Sequence, residues 1–164
     1  MHLTIKRADP EDAGEVSTIL CEAARYLDSI GQTLWDINDL TQEDISGDVA
    51  EGRYYLAYSD GEPVGTFRYQ LEDRQYWPEI TDGRSAFIHR LAVRRKAASG
   101  GISLQMIEWA KEHTKEIGRE YLRLDCAVRP KLCSFYEGCG FQRHSMRHAG
   151  AYPVMRYVLR VNTC

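Results

Sequence analysis

Long apolar runs are missing from this sequence. No segment approaches the ~20 apolar residues a bilayer-spanning helix requires, so no membrane association is expected. The opening residues, Met1-His2-Leu3-Thr4-Ile5-Lys6, lack the apolar stretch of a secretory signal and read as a strand. An excess of positive charge is missing too: 21 Lys and Arg face 24 Asp and Glu, a formal net charge of −3. Nucleic-acid binding draws on a cationic surface, so no nucleic-acid partner is expected. Cysteine pairs of the CxxC type are absent, and the five cysteines, Cys21, Cys126, Cys133, Cys139 and Cys164, are odd in number. No zinc module has that spacing, so no metal is expected. The five read as reduced thiols, mostly core filler, in a cytoplasmic protein. Repeats, low-complexity tracts and linkers are lacking as well. The 164 residues are therefore expected to form one domain, 1–164.

What is present suits a globular chain: 43% apolar and 27% charged residues. A strand is expected near residues 2–7. Asp9-Pro10-Glu11-Asp12 then starts a helix, with a cap, a proline in the first turn and acids facing the helix dipole. Val16, Ile19, Leu20, Ala23, Leu27 and Ile30 recur at helical spacing until Gly31. A shorter helix begins at Thr41, with Asp44 three residues on. Tyr54–Ser59 and Pro63–Gln70 are strand-like and joined by Asp60-Gly61, a hairpin signal. Ala86–Val93 is a strand, and Gly101 to about Ile117 a helix with Ile102, Met106, Ala110, His113 and Ile117 along one stripe. Tyr121–Ala127 is a strand, Lys131–Gly138 a short helix, and Phe141–Ala149 with Val154–Val161 a closing strand pair. The order β-α-α-β-β-β-α-β-α-β-β predicts an α/β (α+β) fold: one mixed, mostly antiparallel sheet flanked by helices.

The stretch Phe87 to Phe141 carries the chemistry. The strand Phe87-Ile88-His89-Arg90-Leu91-Ala92-Val93 feeds a basic run, Arg94-Arg95-Lys96. Then come Ala97-Ala98-Ser99-Gly100-Gly101 and a helix start. A helix N-terminus offers unpaired N–H groups and about half a positive charge. Glycines let the backbone approach a phosphate closely. These features suit a pyrophosphate, although a Gly-Gly pair before a helix also serves as a plain turn.

The segment resembles the GNAT superfamily of acyl-CoA-dependent N-acetyltransferases. That family places a strand ending in a Leu-x-Val-like triplet, here Leu91-Ala92-Val93, before an Arg/Gln-x-x-Gly-x-Gly/Ala loop and a long helix. The loop here is Ala98-Ser99-Gly100-Gly101-Ile102-Ser103. Downstream, Leu132-Cys133-Ser134-Phe135-Tyr136-Glu137-Gly138-Cys139-Gly140-Phe141 is similar to the family's Phe-Tyr-Glu-x-x-Gly-Phe signature. The element order fits the family from end to end. Three departures stand out. Ala98 replaces the loop's Arg or Gln, and Ser103 replaces its last Gly or Ala. Arg129 stands where the family often has an Asn, seven residues before the Tyr.

The resemblance implies transfer of an acetyl group from acetyl-CoA, as cosubstrate, to an amine. The expected coenzyme set is Leu91, Ala92, Val93, Arg94, Ser99, Gly100, Gly101, Ile102, Ser103, Arg129 and Tyr136. A backbone N–H at the end of the Leu91–Val93 strand is expected to hold the oxyanion. Leu91 and Val93 are expected to pair with the pantetheine amides. Tyr136 matches the family's general acid. Its phenol is a donor at neutral pH, and a thiolate leaves poorly unassisted.

An alkyl amine has a pKa of about 10.4, so only about one in a thousand is neutral at pH 7 and a general base helps. His89, two residues before Leu91 where many family members carry Glu, is the first candidate; the alternative is a structural strand histidine. Glu79 and Asp82 are further candidates. A nucleophilic Cys133, three residues before Tyr136, would require a ping-pong route that departs from the family. Gln32, Trp35 and Asp36 follow the first helix, where the family builds its acceptor pocket. Trp35 can stack on a cation and Asp36 pair with it, or Trp35 simply covers the core edge. Tyr76, Trp77 and Tyr152 are further pocket candidates. The expected acceptor is a small-molecule primary amine, used by direct attack in a ternary complex, with the protein a monomer or homodimer. The alternatives are a protein or peptide N-terminal acetyltransferase and a non-catalytic acyl-CoA-binding sensor.

Overall fold

A computed structural model describes residues 3–150 and 152–161. His2, within the expected first strand, and Cys164 lie outside the described residues. The elements follow the expected order: β1 (Leu3–Arg7), α1 (Ala13–Ser29), α2 (Gln42–Ala50), β2 (Tyr54–Ser59), β3 (Glu62–Gln70) and β4 (Ser85–Val93). Then come α3 (Ile102–Glu116), β5 (Tyr121–Ala127), α4 (Pro130–Gly138), β6 (Gln142–Arg147) and β7 (Val154–Arg160). Among the described residues, seven strands run β1-β2-β3-β4-β5-β7-β6 across one sheet. β4 and β5 are parallel, while β1–β2, β2–β3, β5–β7 and β6–β7 are antiparallel. The chain divides into two compact units. One comprises Met1–Tyr69 and Arg90–Met106; the other comprises Gln70–His89 and Ile107–Cys164.

In the first unit, a short 3-10 turn at Pro10–Asp12 leads into α1, and the Asp9 N–H donates to Asp12 Oδ2 at 2.9 Å. Thr41 caps α2: its Oγ1 accepts from the Asp44 N–H at 3.2 Å and donates to Asp44 Oδ2 at 2.6 Å. Both helices bury one stripe. Val16, Ile19, Leu20 and Ala24 of α1, with Ile45 and Val49 of α2, pack on Leu40, Tyr54, Leu56 and Ala92. Ile30, expected on that stripe, is exposed because α1 stops at Ser29. The β2–β3 hairpin turns on Asp60 and Gly61, both at positive φ (50° and 85°), as a twist-matched two-residue turn requires.

In the second unit, β5 alternates sharply. Leu122, Leu124 and Cys126 point to one face, Arg123 and Asp125 to the other. The helix α4 covers the first face, with Cys133 Sγ 4.0 Å from Cys126 Sγ. The segment Asp73–Trp77 covers the second. There the fully buried Trp77 ring lies 6.4 Å from Phe87 and is faced by the guanidinium carbons of Arg156 at 4.4 Å and Arg123 at 4.8 Å. Arg156 is itself held by Ser145, the Tyr76 carbonyl and Glu79 Oε1 at 2.8 Å. The α3 stripe runs through Ala110 to buried Thr114 instead of Ile117, since the helix ends at Glu116 and leaves Ile117 exposed.

One backbone feature has no signature in the sequence. Arg90, inside β4, has φ of 53°, a left-handed conformation that costs a non-glycine residue about 1–2 kcal/mol. Its guanidinium donates to the Tyr54 hydroxyl at 3.1 Å. The β4–β5 register runs from Ser85↔Tyr121 to Ile88↔Leu124, five residues short of the end of β4. Irregularities of this kind bend a strand and re-aim its side chains, and they concentrate next to functional sites.

Candidate active site

The loop after β4 lies in the first unit. The Arg94 N–H donates to the Val64 carbonyl at 2.8 Å, which ties the end of β4 to β3. A 3-10 turn spans Arg95–Ala97, and the Gly100 N–H closes back on Ala97. Gly101 has φ of 70°, and a Cβ built on it meets nothing within 4 Å. The Gln105 N–H bonds the Gly101 carbonyl, so the N–H groups of Ile102, Ser103 and Leu104 precede the first helical bond of α3. Buried Ile102 anchors this helix start, and Ser99 is exposed beside it. Open space at a left-handed glycine before three helix-terminal donors fits a phosphate group.

The basic run is not a free reservoir of charge. Arg94 Nη2 donates to Glu15 Oε1 on α1 at 2.7 Å. The Arg95 N–H donates to Glu22 Oε2 at 3.0 Å, while its guanidinium lies 3.7 Å over Tyr26. Lys96 Nζ meets Glu62 Oε2 at 3.0 Å. These contacts fasten the loop to α1 and β3. The Lys96–Glu62 pair is a solvent-exposed surface pair, the kind that adds little stability. Ala98 is exposed and contributes no polar side chain.

Tyr136 lies on α4 in the second unit, half-buried, with Arg129 as the N-cap of that helix. Its ring packs edge-on against Phe135 at 5.1 Å and Phe141 at 6.2 Å, and tilted against Tyr157 at 6.3 Å. Among the described residues its hydroxyl makes no hydrogen bond. Burial, and then the Cys126, Asp125 and Cys139 side chains, push the phenol well above the usual tyrosine range. The phenol is protonated at neutral pH, and the upward shift makes it a weaker acid than an ordinary tyrosine.

His89 lies on the opposite face of the β5 sheet from α4, with its side chain 7% exposed. Nε2 meets Asp73 Oδ2 at 2.7 Å, and Nδ1 faces Asp125 Oδ1 at 3.5 Å. The ring of Tyr76 lies 5.8 Å away. Asp73 is itself locked: its Oδ1 accepts from the Gln75 and Tyr76 N–H groups at 3.2 and 2.9 Å, and its carbonyl from the Trp77 N–H. Burial alone would raise the Asp73 carboxyl, but His89 and these two N–H groups outweigh it and hold it below the usual range. Ligand atoms of Asp73, His89 and Asp125 lie within 4.8 Å of one another. The two carboxylates, however, address different nitrogens of one ring, whose lone pairs diverge. This suits an oriented imidazole better than three ligands on one ion.

The other candidates are engaged locally. Glu79 is exposed and ion-paired with Arg156, which lowers its carboxyl. Asp82 accepts from the Arg84 N–H at 3.1 Å in a turn. Trp35 packs against the α1–α2 core, and Asp36 Oδ1 accepts from the Asn38 N–H at 2.9 Å. Gln32 is exposed, its N–H bonded to the Leu27 carbonyl. Trp77 is core and Tyr152 is exposed. Cys133 is buried against Cys126, whose thiol burial pushes far up, away from a reactive thiolate. Sequence reasoning missed Asp73 and Asp125. The one available signal for Asp125 is an acidic residue that alternates with apolar ones in β5, two residues from Arg123. Asp73 shows only the Asx-turn composition of a loop.

The chain and its fold are similar to those of known proteins. Residues 20–141 match the family Acetyltransferase (GNAT) family. The chain is similar to the uncharacterized N-acetyltransferase YesJ of Bacillus subtilis (strain 168), 27% identical over 139 residues, 80% of this chain and 77% of that protein. Its fold is similar to a GNAT-family acetyltransferase from Listeria monocytogenes, with a TM-score of 0.81 at 22% identity over 96% of this chain and 94% of that one. It is also similar to the aminoglycoside acetyltransferase AAC(6')-Ib in complex with coenzyme A and kanamycin, with a TM-score of 0.77 at 15% identity, covering 97% and 95% of the two chains. With a family match over most of its length and the same fold, the chain belongs to the GNAT acetyltransferase family and is an acyltransferase.

Proposed function

We propose that this protein is an N-acetyltransferase that moves the acetyl group of acetyl-CoA to a primary amine of a small molecule, by direct attack in a ternary complex, with residues 1–164 acting as one catalytic domain. The observation that carries the reading is His89, a buried imidazole oriented by a carboxylate on the strand that leads to the phosphate-type loop. Arg94, Ser99, Gly100, Gly101, Ile102, Ser103 and Arg129 are assigned to the coenzyme's phosphates. Leu91, Ala92 and Val93 are assigned to its pantetheine arm, and Gln32, Trp35 and Asp36 to the acceptor. The kanamycin bound by AAC(6')-Ib, an amine-bearing small molecule, supports the acceptor class.

In the proposed step the amine nitrogen forms a bond to the thioester carbonyl carbon, and His89 takes the amine proton. A backbone N–H at the end of β4 holds the oxyanion. Collapse breaks the C–S bond, the electron pair goes to sulfur, and the Tyr136 hydroxyl protonates it. Imidazolium and phenolate return to neutral by exchange with solvent. The test is thiol release from acetyl-CoA with kanamycin, a diamine, an amino acid and a short peptide with a free N-terminus. Release with one of the first three and intersecting initial-velocity lines are expected. Tight acetyl-CoA binding without thiol release for any amine would refute the enzymatic reading; preference for the peptide would refute the small-molecule acceptor.

A further inference from the structure

Neither the family's motifs nor the sequence singles out Asp73, yet it is the best-fixed group around His89. We propose that Asp73 is the positioning residue of the general base, holding His89 in the Nε2–H tautomer so that Nδ1 is the nitrogen that accepts the amine proton. The inference rests on the reading of His89 as base.

The tautomer follows from the hydrogen-bond inventory. Asp73 is 5% exposed, and its carboxyl is held in the ionised form, which accepts and does not donate. The 2.7 Å contact with His89 therefore needs a proton on Nε2. In the neutral ring the lone pair is then on Nδ1, the nitrogen at the longer distance, 3.5 Å, from Asp125. Asp73 cannot turn away to release the ring. Its second oxygen is occupied by two backbone donors, and its carbonyl by a third. The charged and titratable groups facing the imidazole are Asp73 from the loop after β3, Asp125 from β5 and the Tyr76 phenol. Arg156 stands opposite Asp125 on β7. Asp73 thus serves His89 as a buried carboxylate serves a catalytic histidine elsewhere: it fixes the tautomer and stabilises the imidazolium that forms, without itself taking the proton.

Asp73→Asn is the informative change. The amide keeps size and shape but can present N–H to Nε2, which favours the proton on Nδ1, the wrong nitrogen. With the best amine of the panel, kcat should fall by about 10²-fold or more, as expected for loss of a positioned base, with KM for acetyl-CoA unchanged. The double variant with His89→Gln should be no slower than His89→Gln alone. Nitrogen-15 NMR of the imidazole in the whole protein should show the Nε2–H tautomer in the parent and a shift toward Nδ1–H in Asp73→Asn. The parent spectrum alone decides the tautomer if the variant folds poorly, and it requires no acceptor. An Nδ1–H tautomer in the parent overturns the proposal, as do additive effects of the two substitutions or wild-type kcat in Asp73→Asn. If His89→Gln is itself fully active, the base reading falls and this inference with it. If His89→Gln is impaired and Asp73→Asn is not, only the inference falls.

Discussion

Replacing Tyr136 with Phe should separate chemistry from stability. The ring contacts with Phe135, Phe141 and Tyr157, at 5.1, 6.2 and 6.3 Å, are kept by Phe. The hydroxyl makes no hydrogen bond to a described residue, so its removal breaks none. A change in folding free energy within about 0.5 kcal/mol is expected, which for a chain of this size moves Tm by about 2 °C at most. Turnover should behave differently. The phenol is protonated at neutral pH, as the proposed acid role requires. Loss of a positioned acid costs roughly 10²–10⁴ in rate, or about 2.7–5.5 kcal/mol of transition-state stabilisation. The assay is thiol release at saturating acetyl-CoA and amine, beside a thermal melt and a coenzyme-binding isotherm. A kcat within about threefold of the parent, with Tm and binding intact, would refute the acid assignment. A matching fall in Tm would mean that the ring packing had been misjudged.

Two further outcomes are expected. Gly101→Ala places a Cβ in open space at φ of 70°, so its cost is backbone strain alone, about 1–2 kcal/mol. KM for acetyl-CoA should rise as the helix start shifts, and an unchanged KM would argue against this loop as the pyrophosphate site. Acidification should lower Tm. Asp73 and Glu79 are held below their usual range, so their contribution exists above the unfolded-state values and disappears as pH falls through the folded ones. His144 is depressed by burial, then by Arg156 and Arg123, so the unfolded chain takes up its proton first as pH drops below about 6.5. His144→Gln should flatten the melt profile in that upper range; an unchanged profile would show that His144 titrates alike in both states.

Much of this was legible in the sequence because it is written in local periodicity and turn chemistry. The helical spacing of Val16, Ile19 and Leu20, the Asp60-Gly61 turn, the cap at Thr41 and the apolar strand before Gly100-Gly101 each bias a few neighbouring residues. Seen in order, they yield the helices and strands of the described residues to within a few positions. The left-handed glycine and helix start after β4 are legible for the same reason: they are fixed by residues adjacent in the chain.

The surroundings of His89 were not legible. Asp73 and Asp125 lie 16 and 36 residues away along the chain and reach the ring only through sheet pairing and the fold of a loop. The left-handed Arg90 is occupied by a residue with no preference for that conformation. The ties of Arg94, Arg95 and Lys96 to Glu15, Glu22 and Glu62 join segments that no local pattern connects. Sequence by itself determined the order of elements and the loop, because backbone geometry is a local property. Tertiary structure alone decided which carboxylates lie against the imidazole, because charge and hydrogen-bond geometry depend on what the fold brings within about 3 Å.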